Sequence, residues 1–243
     1  MKDNKNKIIF LTTTNNEKIL NDNLLICPDF FDSYELKIIR NSTHLTKSIQ
    51  EQIDKSDSDI ICILHHDIRF LINFESQLLN ALKKLEEIDS NWALAGVAGV
   101  KGDSIIAHIV DRDYVLGSTI QNPTEVDNLD EVLILFNKKS GIKLDENIIS
   151  HHLWATDLCL QAKEKKLKCY VVEVLVHHNS KNGFTLDASY YQEANFIKKK
   201  WGKYLPFKNT CMEFKEGDTQ NKPVHQALRS WFHALQTLCH YRR

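Results

Sequence analysis

Ionisable residues gather at a few short places in this chain, and three of those places are histidine doublets: His65-His66, His151-His152 and His177-His178. The first doublet runs directly into Asp67. A carboxylate beside two imidazoles suits a divalent cation that carries a diphosphate, because hard cations want oxygen ligands and Mn²⁺ also accepts imidazole nitrogen. The same Asp67 would serve equally as the cap of a following helical turn. His178, followed by Asn179-Ser180, is a last metal ligand, a phosphate contact, or one of two loop histidines facing solvent. In an extended segment neighbouring side chains point to opposite faces, so one member of each doublet is expected at a shared site.

Two other acidic positions invite a chemical reading. Asp157, in WATDLCL over 154–160, falls in the first turn of a helix, where the helix dipole alone favours a carboxylate. Held in a pocket, it would also serve as general base for a hydroxyl acceptor. Asp130-Glu131 leads into the apolar run 132–136. An acidic pair entering a buried strand is less readily explained as a solvated face, although a surface turn competes with that reading.

Elements must then carry these residues to one place. Hydrophobic periodicity predicts strands over 7–13, 35–40 and 59–64, and a helix over 44–55 with Leu45, Ile49 and Ile53 four apart. This strand–helix–strand spacing predicts right-handed βαβ units in a parallel sheet. A helix over 74–88 presents Leu78, Leu82 and Leu85 on one face. The small residues of WALAGVAGV, 92–100, predict a strand that another part of the chain approaches closely. Further strands are expected over 105–110, 132–136 and 169–176, and a helix from near Ala155. A last amphipathic helix over 224–240 carries Ala227, Leu228, Trp231, Leu235 and Leu238. On this plan Thr12 to Asn15, Arg40-Asn41, His65-His66-Asp67 and His177-His178 all fall at the C-terminal ends of strands, the crevice where open α/β sheets bind ligands.

Composition limits the function classes. With 243 residues, 42% of them hydrophobic, the chain can bury a core and is too apolar to be disordered. Lys and Arg total 31 against 32 Asp and Glu, and a net charge of −1 offers no electrostatic footprint for nucleic acid. No apolar run reaches the ~18 residues that span a bilayer, and residues 1–12 make no signal-peptide core. The six cysteines are scattered without a Cys-X-X-Cys pair, which suits buried thiols in a reducing compartment. The expectation is a cytoplasmic protein with one continuous domain over 1–205 and a helical extension over 206–243. The 224–240 helix is a candidate for a homodimer contact or for peripheral docking on a membrane surface.

Five blocks occur in order: HHDI at 65–68, WALAGVAGV at 92–100, VDNLDEVLILF at 126–136, HLWATDLCLQA at 152–162 and HNS at 178–180. Together they resemble the family-2-like glycosyltransferases, and within that clan the subgroup typified by a streptomycin-biosynthesis domain, over about residues 7–201. The resemblance implies an α/β GT-A (Rossmann-like) fold with a mostly parallel central sheet flanked by helices. It implies a nucleotide-sugar donor over the strand ends, Mn²⁺ or Mg²⁺ bridging its diphosphate, and inversion at the anomeric carbon. The acceptor would be a hydroxyl of a glycan or small molecule. By position, Thr12, Thr13, Arg40 and Asn41 would hold nucleobase and ribose, together with His65 and His66 of the Asp-X-Asp-type segment. Asp67 would be the retained acid of that segment, on the metal or the ribose, and His178 would complete the metal–diphosphate site. Asp157 would be the catalytic base and Asp130 would line the acceptor side.

Two departures from the family pattern bear on chemistry. His65 stands where the first carboxylate of the Asp-X-Asp pair is usual, and Trp154-Ala155 leaves Asp157 as the sole carboxylate of the base segment. They motivate a second reading, a nucleotide-sugar-binding protein that has kept the fold and lost the reaction. A third reading, a metal-dependent phosphoesterase, rests on the histidine doublets, which lack the His-X-X-X-His spacing of a helical metal site.

Overall fold

The computed structural model describes residues 8–180 and 186–217; the helix expected over 224–240 lies outside the described residues. The chain opens with β1 (Ile8–Thr14), α1 (Glu17–Asp22), α2 (Pro28–Phe31) and β2 (Leu36–Arg40). Next come α3 (Leu45–Lys55), β3 (Ile60–His65), β4 (Ile68–Phe70) and α4 (Phe74–Ile88). Short strands follow: β5 (Leu94–Gly96), β6 (Ala98–Lys101), β7 (Ser104–Asp111), β8 (Tyr114–Gly117), β9 (Thr124–Val126) and β10 (Asn128–Leu129). The remainder is β11 (Leu133–Asn137), α5 (Trp154–Glu164), β12 (Cys169–Val171), β13 (Val176–His178), α6 (Ala188–Lys200) and a hairpin of β14 (Phe207–Lys208) and β15 (Glu213–Phe214).

The central sheet has seven strands in the order β2-β1-β3-β11-β5-β12-β9. β2, β1, β3, β5 and β12 run one way, while β11 and β9 run the other. Most of its strands are therefore parallel, as the βαβ spacing predicts. β1 reads as an unbroken apolar run because both of its faces are covered. Ile9 and Leu11 pack with Ile61 and Ile63 against α3 and α5, through Ile49, Ile53, Leu158 and Ala162. The alternate residues Ile8, Phe10, Cys62 and Leu64 pack on the other face against Leu78, Leu82 and Leu85 of α4. Each fully buried Leu, Ile or Phe among them contributes roughly 1.5–3 kcal/mol relative to exposure.

A second sheet, β10-β6-β7-β13-β4 with β8 on β7, lies beyond the central one. Two runs expected as single strands feed both sheets. The segment 92–100 gives β5 to the central sheet and, after a break at Val97, β6 to the second; 169–176 likewise divides into β12 and β13. Hydrophobic period alone is blind to such a transfer, since both halves are equally buried. The close approach expected near the glycines is real: a Cβ on Gly99 would lie 2.5 Å from the Asn128 carbonyl oxygen. The hairpin after residue 205 packs Met212 and Phe214 into the main core, so Phe207 to Phe214 belong to the same body as the preceding residues. Among the described residues no helix is long and apolar enough to cross a membrane.

Candidate active site

The second sheet explains how sequence-distant acids and histidines meet. β13 pairs with β4 so that His178 faces Ile68, and with β7 so that His178 faces Asp111. Asp67 immediately precedes β4, and its carbonyl accepts a 3.0 Å hydrogen bond from the Asn179 amide. His178 is thereby fixed between two buried carboxylates. Its Nε2 lies 3.3 Å from Asp67 Oδ1 and its Nδ1 lies 3.2 Å from Asp111 Oδ1. Ser180 Oγ donates to Asp111 Oδ2 at 3.1 Å, and His65 Nδ1 makes a short contact with Asp67 Oδ1.

Electrostatics follow from this packing. Burial works to raise the Asp67 carboxyl, but hydrogen bonds from His178 and His65 outweigh it and hold the group well below the usual carboxylate range. Asp111 is also lowered, burial being opposed by His178 and Ser180. Burial works to lower His178, yet Asp111 and Asp67 raise it to about 10. The imidazolium is thus the counter-charge of the two aspartates.

Donor atoms of His65, Asp67 and His178 all lie within 4.8 Å of one another. Two imidazoles and a carboxylate form a donor set that suits Mn²⁺ better than Mg²⁺, so the residues present fit a divalent cation. The sequence puts Asp67 and His178 in that role and His65 on the nucleotide; the structure brings His65 beside the other two as well. Asp111, opposite His178, was not singled out, because only the β7–β13 register brings it there.

Beside the cluster opens a cleft of about 190 Å³, lined by Thr13, Thr14, Asn15 and Ser42 at the ends of the first strands, by His65 and His66, and by Leu45 and residues 149–151. Both members of the first doublet reach this cleft. The alternation expected of an extended segment fails there because β3 ends at His65, and His66 turns to meet Thr14 Oγ1 at 2.8 Å. His177 and His178, within β13, do point apart: His177 Nε2 meets the Arg112 carbonyl at 2.7 Å. The wall at 149–151 is anchored by α6. Glu193 accepts from the Ser150 amide and hydroxyl, each at 2.6 Å.

Not every expected residue reaches the cleft. Thr12 is fully buried and its hydroxyl donates to the Leu64 carbonyl at 2.9 Å, so it ties β1 to β3. Arg40 Nε donates to Glu17 Oε1 at 2.9 Å on the exposed surface. Asn41 adopts a left-handed φ of 50°, donating its amide to the Thr14 carbonyl, next to cleft residue Ser42. Asp130 is half-buried and accepts from Thr210 Oγ1 at 2.5 Å. The expected base is enclosed. Asp157 is 0% exposed, and its oxygens are occupied by Trp201 Nε1 at 2.7 Å, Lys200 Nζ at 2.6 Å and Gln161 Nε2 at 2.7 Å. A carboxylate enclosed by three donors in the core fastens α5 to α6.

Glu131 stands differently. The His65 amide donates to the Val132 carbonyl at 3.0 Å, which places Glu131 one residue further along, at the same sheet end as the His65-His66 doublet. Its Oε1 accepts from the Ala155 amide at 3.2 Å, in the first turn of α5. The residue is partly exposed but its carboxyl is buried, and that burial together with the neighbouring Asp130 pushes it up to about 8.

No family model matches the chain. It is 23% identical over 164 residues to "ATP synthase subunits region ORF 6" of Fuscovulum blasticum, and this alignment spans 65% of each sequence. Among solved structures, S. aureus TarS aligns with a TM-score of 0.51 at 13% identity, over 80% of this chain and 39% of TarS. TarS 1–349 in complex with UDP-GlcNAc aligns with a TM-score of 0.52 at 13% identity, over 80% of this chain and 66% of that one. With its mixed sheet, flanking helices and this likeness, the chain has an α/β fold of the GT-A class.

Proposed function

We propose that this protein is an inverting glycosyltransferase that moves a sugar from a nucleoside-diphosphate donor to a hydroxyl acceptor on a glycan or small molecule. The observation that carries the reading is the meeting of His65, Asp67 and His178 beside a cleft at the C-terminal ends of β1, β2 and β3, on a GT-A fold. That TarS, a protein of similar fold, is seen with UDP-GlcNAc supports a donor of the same kind here. His65, Asp67 and His178 would hold Mn²⁺ or Mg²⁺, which when bound neutralises charge on the departing diphosphate.

The chain's own residues supply binding and orientation. Thr13, Thr14, Asn15 and Ser42 offer backbone and hydroxyl partners for a ribose or base, and Leu45 and Ile149 give the cleft an apolar side. Asp111 holds His178 by its Nδ1, which turns Nε2 toward Asp67. Glu193 keeps the 149–151 wall in place through Ser150.

A second reading, a donor-binding protein without the reaction, draws support from the sequestration of Asp157. A thermal-shift screen of nucleoside diphosphates and nucleotide sugars, each with and without Mn²⁺, tests the site. A ligand at about 100 times its Kd adds about 2.7 kcal/mol, a readily measured shift. Glycosyl transfer requires a Mn²⁺-dependent shift with one nucleotide sugar. A shift with Mn²⁺ alone and none with any nucleotide would overturn it and favour a phosphoesterase. Donor binding without release of the nucleoside diphosphate would favour the second reading.

A further inference from the structure

We infer that Glu131, at the junction of β10 and β11, is the general base of this site. This inference rests on the glycosyl-transfer reading and assigns within it a residue that the sequence pattern does not. The base segment offers Trp154-Ala155 where acids are expected, and Asp157 is closed off by Trp201, Lys200 and Gln161. The site still holds a carboxyl group close to that segment, brought there from another strand.

Three geometric facts place it. The β3–β11 pairing carries Glu131 to the sheet end where His65 and His66 line the cleft. Its Oε1 reaches the Ala155 amide, so the carboxyl lies across the start of α5, just after the 149–151 wall. The residue as a whole is partly exposed, whereas Asp157 is fully buried.

The surroundings also suit the chemistry. The charged and titratable groups that bear on Glu131 are Asp130 beside it, Cys159 on α5, Tyr190 on α6 and Cys211 on the β14–β15 turn. Of these, Asp130 opposes ionisation of Glu131, and burial opposes it more, while the Ala155 amide favours it. A carboxyl whose proton affinity is raised toward neutrality is a stronger base than an ordinary one and is still ionised in part near neutral pH. In the step, the acceptor oxygen forms a bond to the anomeric carbon as the bond from that carbon to the diphosphate oxygen breaks. The electron pair of that bond leaves with the nucleoside diphosphate. The acceptor's hydroxyl proton passes to a Glu131 carboxylate oxygen.

Release of UDP from UDP-GlcNAc, or of GDP from GDP-mannose, tests this with the full chain, Mn²⁺ and water as acceptor, because water needs the same deprotonation. Donor affinity is measured alongside by calorimetry. Glu131→Gln keeps an oxygen for the Ala155 amide, so the start of α5 and the donor affinity should stay near wild type. Its kcat should fall by about 10²–10⁴-fold, with donor KM little changed, and the rise of kcat with pH toward about 8 should vanish. Glu131→Asp, which keeps the acid but shortens its reach, should retain a pH limb at reduced kcat; if the glutamine variant fails to fold, this kcat carries the test. Donor binding with an unchanged kcat and pH limb in Glu131→Gln, or an unchanged kcat in Glu131→Asp, overturns the assignment and leaves glycosyl transfer standing. Wild-type donor binding with no turnover at any pH also overturns it. No donor binding by the wild type overturns the transfer reading and this assignment together.

Discussion

Asp111 Oδ1 lies 3.2 Å from His178 Nδ1, on the side of the ring away from Asp67. A carboxylate behind an imidazole sets its tautomer and orientation and strengthens the opposite nitrogen as a ligand. Asp111→Asn should therefore weaken Mn²⁺ binding by about 10–100-fold with no change in the elements of the fold. Titration of the metal by calorimetry, with circular dichroism of the same samples, checks both parts; equal Mn²⁺ affinity would show that Asp111 does not tune the cation site.

On the proposed reading, the charge on His178 gives metal binding a pH dependence of known sign. Its folded-state value, about 10, lies above the ordinary 6.5. A cation at Nε2 must displace that proton, so Mn²⁺ affinity should rise about tenfold per pH unit between neutrality and about 10. Calorimetry in buffers of different ionisation enthalpy would report close to one proton released per ion bound. For the metal-free chain, the raised value means that His178 stabilises the fold fully below about pH 6.5, and this contribution is lost as pH rises through about 10.

Asp157 is expected to matter for stability. Asp157→Ala leaves Lys200 without one of its two carboxylates and Trp201 Nε1 without its acceptor. Breaking a buried ion pair from one side costs about 3–5 kcal/mol. Urea denaturation should show a loss of that size, while the surviving folded fraction binds donor as the wild type does. Intact stability with abolished turnover would restore Asp157 to the reaction.

Glu193 tests the cleft wall separately from the cation site. Glu193→Ala removes both hydrogen bonds that hold Ser150. Hydrogen bonds to charged groups contribute about 1.5–3 kcal/mol each, so the wall should loosen and nucleotide affinity should drop. Mn²⁺ affinity measured without nucleotide should stay unchanged. A parallel loss of both would mean that the wall and the cation cluster form one unit.

Local pattern carried the first half of this fold into view. The α4 helix starts at Phe74 and ends at Ile88, where its leucine spacing puts it, and β1, β2, β3 and α3 fall within a residue or two of their periodic runs. The α6 helix escaped because its inward stripe of Tyr190, Ala194 and Ile197 is interrupted by Glu193, a buried acid that reads from sequence as a surface residue. The sheet change at Val97 escaped because nothing in an apolar run says which sheet receives it. At the site, Asp67, His65, His66 and His178 were legible as strand-end chemistry. Asp111 was not, since it ends β7 like any polar strand terminus until the β13 register is known. For Asp157 the sequence leaves the role open for a physical reason: an acid in the first turn of a helix looks the same whether a substrate or Lys200 lies opposite.

The division of 92–100 and 169–176 between two sheets has a consequence for how the cation cluster arises. His65 ends a central strand, whereas His178 and Asp111 come from the second sheet. A chain in which only the βαβ half has formed would present His65 and Asp67 but not His178. On the proposed reading, avid binding of Mn²⁺ would report the docking of one sheet upon the other, and the ion would act as a clasp across that seam, tightening the joint between halves that fold from distant parts of the sequence.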